Sequence, residues 1–182
     1  MPKMLPPSST IWWVPASSVT NPEEDLFKPT LYSGSGGAVD ISCAVVTGYT
    51  LNPSDSDTDD TMSICDEGGV QTPVRSNYEA SLTLFREAIG SSGKIGDTSV
   101  YDKAFKLFKD GTKGASLIEG YLVERIGWKQ SSAVAEGQVL SAYKVVADNP
   151  RNVIGDSNTA IQMTVPFLPQ GWFRQNKEVT TG

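Results

Sequence analysis

A chain of 182 residues with 38% hydrophobic and 20% charged side chains can bury about 70% of its unfolded surface, enough for a core without disulfides or metal. Its 21 acidic and 15 basic residues give a net charge of −6, which argues against a protein that grips nucleic acid by neutralising phosphates. It contains no histidine, which removes Ser-His and Cys-His nucleophile pairs, imidazole metal sites and imidazole proton shuttles.

Seventeen Gly and eleven Pro mark many turns and favour β structure. The first residues, MPKMLPPSST, place prolines where a signal peptide needs an apolar stretch. No apolar run reaches the ~18 residues of a membrane-spanning helix. The expectation is a protein assembled in the cytoplasm, with no membrane contact. Residues 1–37 read as an N-terminal arm with one short apolar piece, Ile11 to Val14. In an extended chain Trp12 and Trp13 point to opposite sides, so at least one needs a partner surface. That surface is either the protein's own core or another molecule. Pro22, Pro29 and the Gly34–Gly37 run break any helix beginning near Glu23. The glycines precede a strand and open no helix, so they read as a linker rather than a phosphate loop.

From Ala38, Val39, Ile41, Cys43 and Val45 alternate with Asp40, Ser42 and Ala44, predicting the first sheet element with Cys43 as a small core residue. A bridge between Cys43 and Cys65 requires neighbouring strands and is disfavoured in a reducing compartment. Residues 52–61, NPSDSDTDDT, carry four aspartates and no base, the composition of a solvated acidic loop. Asp55, Asp57 and Asp59 imitate the alternate oxygens of a calcium loop. The imitation is incomplete, since Asp60 stands where such a loop needs glycine and Asp66 where it needs glutamate.

After Gly68 and Gly69 comes a strict alternation: Tyr78, Ala80, Leu82 and Leu84 against Glu79, Ser81, Thr83 and Phe85. It predicts a half-buried strand with one watered face. Residues 99–110 predict the one strong helix, capped by Ser99, with Val100, Tyr101, Ala104, Phe105, Leu107 and Phe108 as its core stripe and Gly111 as its stop. Three strands follow. The first, residues 117–126, is apolar on both faces and so covered on both sides. The second spans 137–147, and the third, 160–167, turns Ile161, Met163, Val165 and Phe167 inward. Residues 168–182 read as a C-terminal arm broken by Pro169 and Gly171, with Trp172 and Phe173 joining Trp12 and Trp13 as arm anchors. The carboxylate pairs Asp66–Glu67 and Glu119–Glu124 point to opposite faces of their strands and cannot converge. Neither a catalytic set nor a cofactor site emerges.

The sum is a mainly β (α+β) fold, a β-sandwich or partial barrel with one flanking helix and extended terminal arms, its domain spanning 38–167. The stretch CDEGGVQTPVRSNYEASLTLFREA (65–88), and more broadly residues 38–88, resembles the tail tube (major tail) proteins of long-tailed, non-contractile bacteriophages. The resemblance implies a structural subunit that forms homohexameric rings stacked into a tube, located in the virion tail. The implied partners are a tape measure protein and the tail terminator and tail tip proteins, with DNA passing through the lumen without specific binding. It implies that the acidic loop (Asp55, Asp57, Asp59, Asp60) reaches toward a neighbouring subunit or the next ring. Glu79, Ser81 and Thr83 then face either the lumen or outer solvent, and the lumen is the reading taken. Two alternatives stay open at this point: a β-sandwich binding module using Trp12, Trp13 or Trp172 as a sugar or protein platform, and a terminator or connector protein that forms rings without stacking.

Overall fold

The computed structural model describes residues 9–59, 72–85, 104, 107, 118–153 and 162–181. Among these residues it is mainly β: one antiparallel sheet of eight strands, not closed into a barrel. The strands are β1 (Ser9–Pro15), β2 (Val39–Asp40), β3 (Thr50–Asp59), β4 (Thr72–Phe85), β5 (Glu119–Ile126), β6 (Val139–Ala147), β7 (Arg151–Val153) and β8 (Gln162–Glu178). Their order is β2-β1-β5-β6-β8-β4-β3, with β7 paired to β8 off this path.

Strand β8 makes this one sheet into two layers. Its first residues pair with β4, from Phe85↔Gln162 to Ala80↔Phe167, and its later ones pair with β6, from Ala147↔Phe167 to Val139↔Glu178. Just inside the β6-paired stretch, Tyr143↔Phe173 and Val145↔Pro169 leave extra residues on β8, and Gly171 adopts φ 72°, a left-handed conformation that glycine takes without strain. The strand turns a corner there and passes from one layer to the other. A second irregularity, between Leu140↔Lys177 and Ala142↔Arg174, contains Asn176 at φ 50°. The Asn176 backbone N–H donates to Ser141 Oγ at 3.2 Å.

Two cores lie on either side of the β1-β5-β6 layer. One joins Ile11, Trp13, Leu122, Tyr143 and Val145 to Tyr78, Leu82, Leu84, Val165 and Phe167 of the other layer. The second joins Trp12, Val14, Tyr121, Val123, Leu140 and Ala142 to Leu26, Phe27, Leu31 and Val179. Strand β5 is therefore covered on both faces, as its unbroken apolar run predicts. Trp12 and Trp13 do point to opposite sides, and both sides are the protein's own core, at 5% and 1% exposure. Gly120 is required by Trp13: a Cβ there would stand 2.5 Å from the indole and 2.6 Å from the Val14 carbonyl oxygen.

Four expectations change. The segment assigned to an N-terminal arm supplies an interior strand, β1, between β2 and β5, and then a cover for the second core. That cover contains the one-turn helix α1 (Pro22–Asp25) and a 3-10 turn at Pro29–Tyr32. The glycine run behind it is a closed turn rather than a linker, with the Gly36 N–H on the Ser33 carbonyl at 2.7 Å and the Ala38 N–H on the Leu31 carbonyl at 3.2 Å.

The strand predicted through Val45 stops after Asp40. The Asp40 carboxylate accepts from Ser42 N at 2.9 Å and Ser42 Oγ at 2.6 Å, a local side-chain closure that competes with the ladder. In the resulting 3-10 turn (Ser42–Ala44) Ala44 is buried, while Cys43 is an exposed free thiol rather than a core residue.

Residues 52–59 of the acidic segment are not a loop but the outer part of β3, paired with β4 as far as Asp59↔Thr72. Residues 168–178, assigned to a C-terminal arm, continue β8; Pro169 sits at its corner instead of ending it. Of the predicted helix 99–110, only Ala104 and Leu107 lie within the described residues. Both are helical and pack on the first core. Asp60, Cys65, Asp66, Glu67, Gly68, Gly69 and Ile161 lie outside the described residues.

Candidate functional site

The polar face of the β3-β4-β8-β7 layer contains the residues singled out for a lumen. Along β4 the apolar set Tyr78, Ala80, Leu82 and Leu84 is buried, so the intervening Glu79, Ser81 and Thr83 point away from the core. Cross-strand partners share a face. Glu79 thus lies beside Asn52, Ser81 beside Thr50 and Pro166, and Thr83 beside Thr164. The Thr83 and Thr164 hydroxyls are 3.1 Å apart. Arg151 of β7 pairs with Thr164 on the same face. The face combines the hydroxyls and amides of Thr50, Asn52, Ser81, Thr83, Gln162 and Thr164 with apolar Phe85, Val153 and Pro166, one carboxylate from Glu79 and one guanidinium from Arg151.

The β3-β4 hairpin extends beyond this layer. Strand β4 pairs with β8 only from Ala80 onward, whereas it pairs with β3 from Thr72 to Ser81. Residues 53–59 and 72–78 thus form a two-stranded projection. Asp55, Asp57 and Asp59 are exposed along it, and Asp57 accepts from Asn77 Nδ2 at 2.9 Å. Among the described residues no group of three acidic or cysteine side chains gathers as a metal site.

Tyr78 clamps the projection at its root. It is 2% exposed, packs 5.6 Å from Tyr143 and 5.4 Å from Phe173, donates its hydroxyl proton to the Lys144 carbonyl and accepts from Gln170 N at 2.7 Å. One side chain therefore ties β4 to β6 and to the corner of β8. Tyr78→Phe leaves the Gln170 N–H without that partner and is expected to cost about 1–3 kcal/mol, read as a fall in urea midpoint.

The anticipated arm anchors are tied to the body. Phe173 stacks on Tyr143 with an interplanar angle of 6°. Trp172 packs edge-on against Tyr121, carries the Arg174 guanidinium over its ring and donates Nε1–H to Glu23 at 3.2 Å. Glu23 of α1 also binds Arg174 and Lys177. The Thr180 N–H reaches the Phe27 carbonyl at 3.0 Å. This clasp holds the N-terminal cover on β8, and it leaves none of Trp12, Trp13 and Trp172 as an open stacking platform.

Two buried charged groups escaped the sequence reading. Arg125 is 0% exposed. Its guanidinium lies 5.1 Å from the Trp12 ring centroid and donates to Gln138 Oε1 at 3.0 Å, Lys129 O at 3.0 Å, Thr10 Oγ1 at 3.2 Å and Ala133 O at 3.3 Å. The available signal was an arginine inside a strand apolar on both faces, where a cation must bring its acceptors with it.

Glu124 is 8% exposed and accepts the Tyr49 hydroxyl. Burial raises its pKa, against the lowering effect of that hydrogen bond. The folded state then holds this proton to higher pH than the unfolded chain. The contribution is fully present below the ordinary glutamate value and is lost as pH rises through the raised one. Glu124→Gln should match the wild type in acid and exceed it at neutral pH, measured as urea midpoints across that range. Asp25 works in the opposite sense. Backbone donors from Asn21, with Lys28, hold its carboxyl below the usual range, so its stabilisation is lost as pH falls through that lowered value.

A family model described as phage tail tube protein matches residues 7–182. No match was found among curated proteins.

Proposed function

The chain belongs to the phage tail tube protein family, and from that premise we propose that it is the ring-forming subunit of the tail conduit through which DNA leaves the virion. A structural role in the virion tail and self-assembly into a tube follow from the family. The proposal adds stacked homohexameric rings of the long-tailed, non-contractile type, enclosing a tape measure protein and ending in terminator and tip proteins.

The observation that carries this reading is the strand count of one layer. The layer runs β3, β4, the first half of β8, then β7, each antiparallel to the next. With four alternating strands, β3 and β7 run in opposite directions. Head-to-tail closure of β3 onto the β7 of the next subunit therefore continues the antiparallel ladder without a parallel junction. Closure also removes two sheet edges that would otherwise template aggregation. The Glu79, Ser81 and Thr83 face lines the lumen in this arrangement. A wall mostly of hydroxyl, amide and apolar side chains, whose two charges, Glu79 and Arg151, are of opposite sign, makes few phosphate contacts and lets DNA slide.

Negative-stain electron microscopy of the purified protein across a concentration series tests the assembly. Hollow tubes with a regular axial repeat support it, single rings that never stack favour a terminator or connector, and persistent monomers that bind glycan overturn it. The lumen assignment has its own test. Glu79→Lys should leave tubes intact while making them retain DNA in a salt-dependent manner, with reduced infectivity. Unchanged assembly, DNA release and infectivity would place these side chains on the outer wall.

A further inference from the structure

We infer that the edge of β4 beyond Ala80 is a slot for an extended segment from a neighbouring copy of this chain, which adds a third strand to the projecting hairpin. The inference rests on the tube-subunit reading for the identity of its partner. Its physical basis lies in how β8 leaves the layer.

From Phe85 to Ala80, β4 is paired with β8, and at Ser81 and Ala80 it has β3 on its other side as well. Past that point β8 turns its corner through Pro169, Gln170 and Gly171 and continues along β6. Among the described residues no strand replaces it beside residues 72–79 of β4. Where the two strands part, a cleft of about 400 Å3 is lined by Ser76, Asn77, Tyr78, Pro169, Gln170 and Gly171. A second, of about 280 Å3, is lined by Tyr78, Glu79, Ala80, Ser81, Phe167, Pro169 and Thr50. Tyr78 stands between them and fixes their shared wall through its bonds to Lys144 and Gln170. The slot has a floor fixed by Tyr78 and, among the described residues, an open backbone edge.

The two edges of the hairpin differ in chemistry. The outer edge, β3, carries Pro53 and the acids Asp55, Asp57 and Asp59, the proline and charges by which proteins blunt an edge against pairing. The inner edge over residues 72–79, TPVRSNYE, carries Pro73 and two charges of opposite sign, Arg75 and Glu79, and its middle, Ser76 to Tyr78, carries neither a charge nor a proline. An isolated two-stranded ribbon is marginal in water, and a third strand is the smallest addition that stabilises it. Main-chain bonds then supply affinity, as in strand addition generally. Self-assembly is the family's property, so another copy is the partner always at hand. The base of β3 closes the ring and the inner edge of β4 receives a neighbour, which gives one hairpin two separate contacts.

The test is amide hydrogen exchange of wild-type protein, as monomer and as tube, resolved for peptides covering residues 73–79, with proline variants at Ser76 and Asn77. Backbone groups alternate between facing β3 and facing the slot, so one of these two prolines removes an N–H that β3 does not use. In the monomer, the 73–79 amides directed away from β3 should exchange rapidly. In the tube that rapid exchange should be lost. The tolerated proline variant should keep the monomer's melting temperature and lose tube assembly. Rapid exchange persisting in wild-type tubes overturns the slot. Protection already complete in the monomer overturns it too, since the chain's own residues would then cover the edge. So does a stable proline pair that assembles normally. Wild-type protein that never assembles instead overturns the tube-subunit reading, and with it the partner named here.

Discussion

A chain truncated to begin at Ala38 is expected not to fold. The missing residues include β1, an interior strand hydrogen-bonded to β5 from Ser9↔Ile126 to Pro15↔Gly120. They also take away Ile11, Trp12, Trp13 and Val14, each 5% exposed or less. Four such side chains contribute about 1.5–3 kcal/mol each, against a total stability on the order of 5–15 kcal/mol for a domain. The truncation also strips Leu26, Phe27 and Leu31 from the second core and exposes the far face of β5. The expected readout is loss of the cooperative urea transition and of near-ultraviolet circular dichroism, with aggregation through the bared edge of β5. A truncated chain that unfolds cooperatively at the wild-type midpoint would show that residues 1–37 are a separable arm after all.

The second large effect is expected at Arg125. Arg125→Met keeps an unbranched chain of similar reach and withdraws every donor. Gln138, Thr10 and the carbonyls of Lys129 and Ala133 then lose their charged partner at once, while the cation over Trp12 disappears. Hydrogen bonds to charged groups are worth about 1.5–3 kcal/mol each, and a buried acceptor left unpaired carries a desolvation penalty. Partial relaxation of residues 129–138 limits the total to about 3–5 kcal/mol, at the high end of single substitutions. Arg125→Lys retains the charge and should recover only part of the loss, since an ammonium cannot span four acceptors arranged around a planar fork. Equal urea midpoints for wild type and Arg125→Met would show that the guanidinium only fills space. The residues it ties together link β1, β5 and the 127–138 connection at one end of the sheet. Tube formation by the variant at low temperature would separate its role in stability from any role in assembly.

Much of the half-buried architecture was legible in the residues. The alternation from Tyr78 to Phe85 identified β4 and sorted its faces, because a strand with one wet side must repeat every two residues. The two-sided apolar run at 117–126 identified β5 as a covered strand. The tryptophans were read as pointing to opposite sides with at least one needing a partner surface, and both find one in the protein's own core. Their partners were not legible, since Tyr121, Leu140 and Phe167 meet them only through pairings distant in sequence.

Position in the fold was the part that escaped. Residues 1–37 and 168–182 look like arms because prolines, glycines and single aromatics interrupt their local pattern. What makes them strand and cover is pairing with β5 and β6, over separations such as Trp13↔Leu122 and Tyr143↔Phe173. The aspartates of 52–59 carry the composition of a solvated loop, and it is the facing strand β4 that draws them into a ladder. Local propensity is a weak prior where cross-strand pairing supplies the energy. At Cys43 the opposite occurred: an apparent strand pattern gave way to the Asp40–Ser42 hydrogen bonds, so a contact two residues away overruled the periodicity.

By itself, then, the sequence determined the β class, the two faces of β4 and β5, the absence of histidine chemistry and a family resemblance that the match over residues 7–182 bears out. Only the tertiary structure decided that both termini belong to the body, that β8 turns a corner between two layers, and that the acidic segment is a projecting strand. The reason is physical. Alternation reports which side of a residue meets water, a property of a few neighbours, whereas strand order and corners are set by hydrogen bonds and packing between residues distant in sequence, from Tyr143↔Phe173 to Trp13↔Leu122.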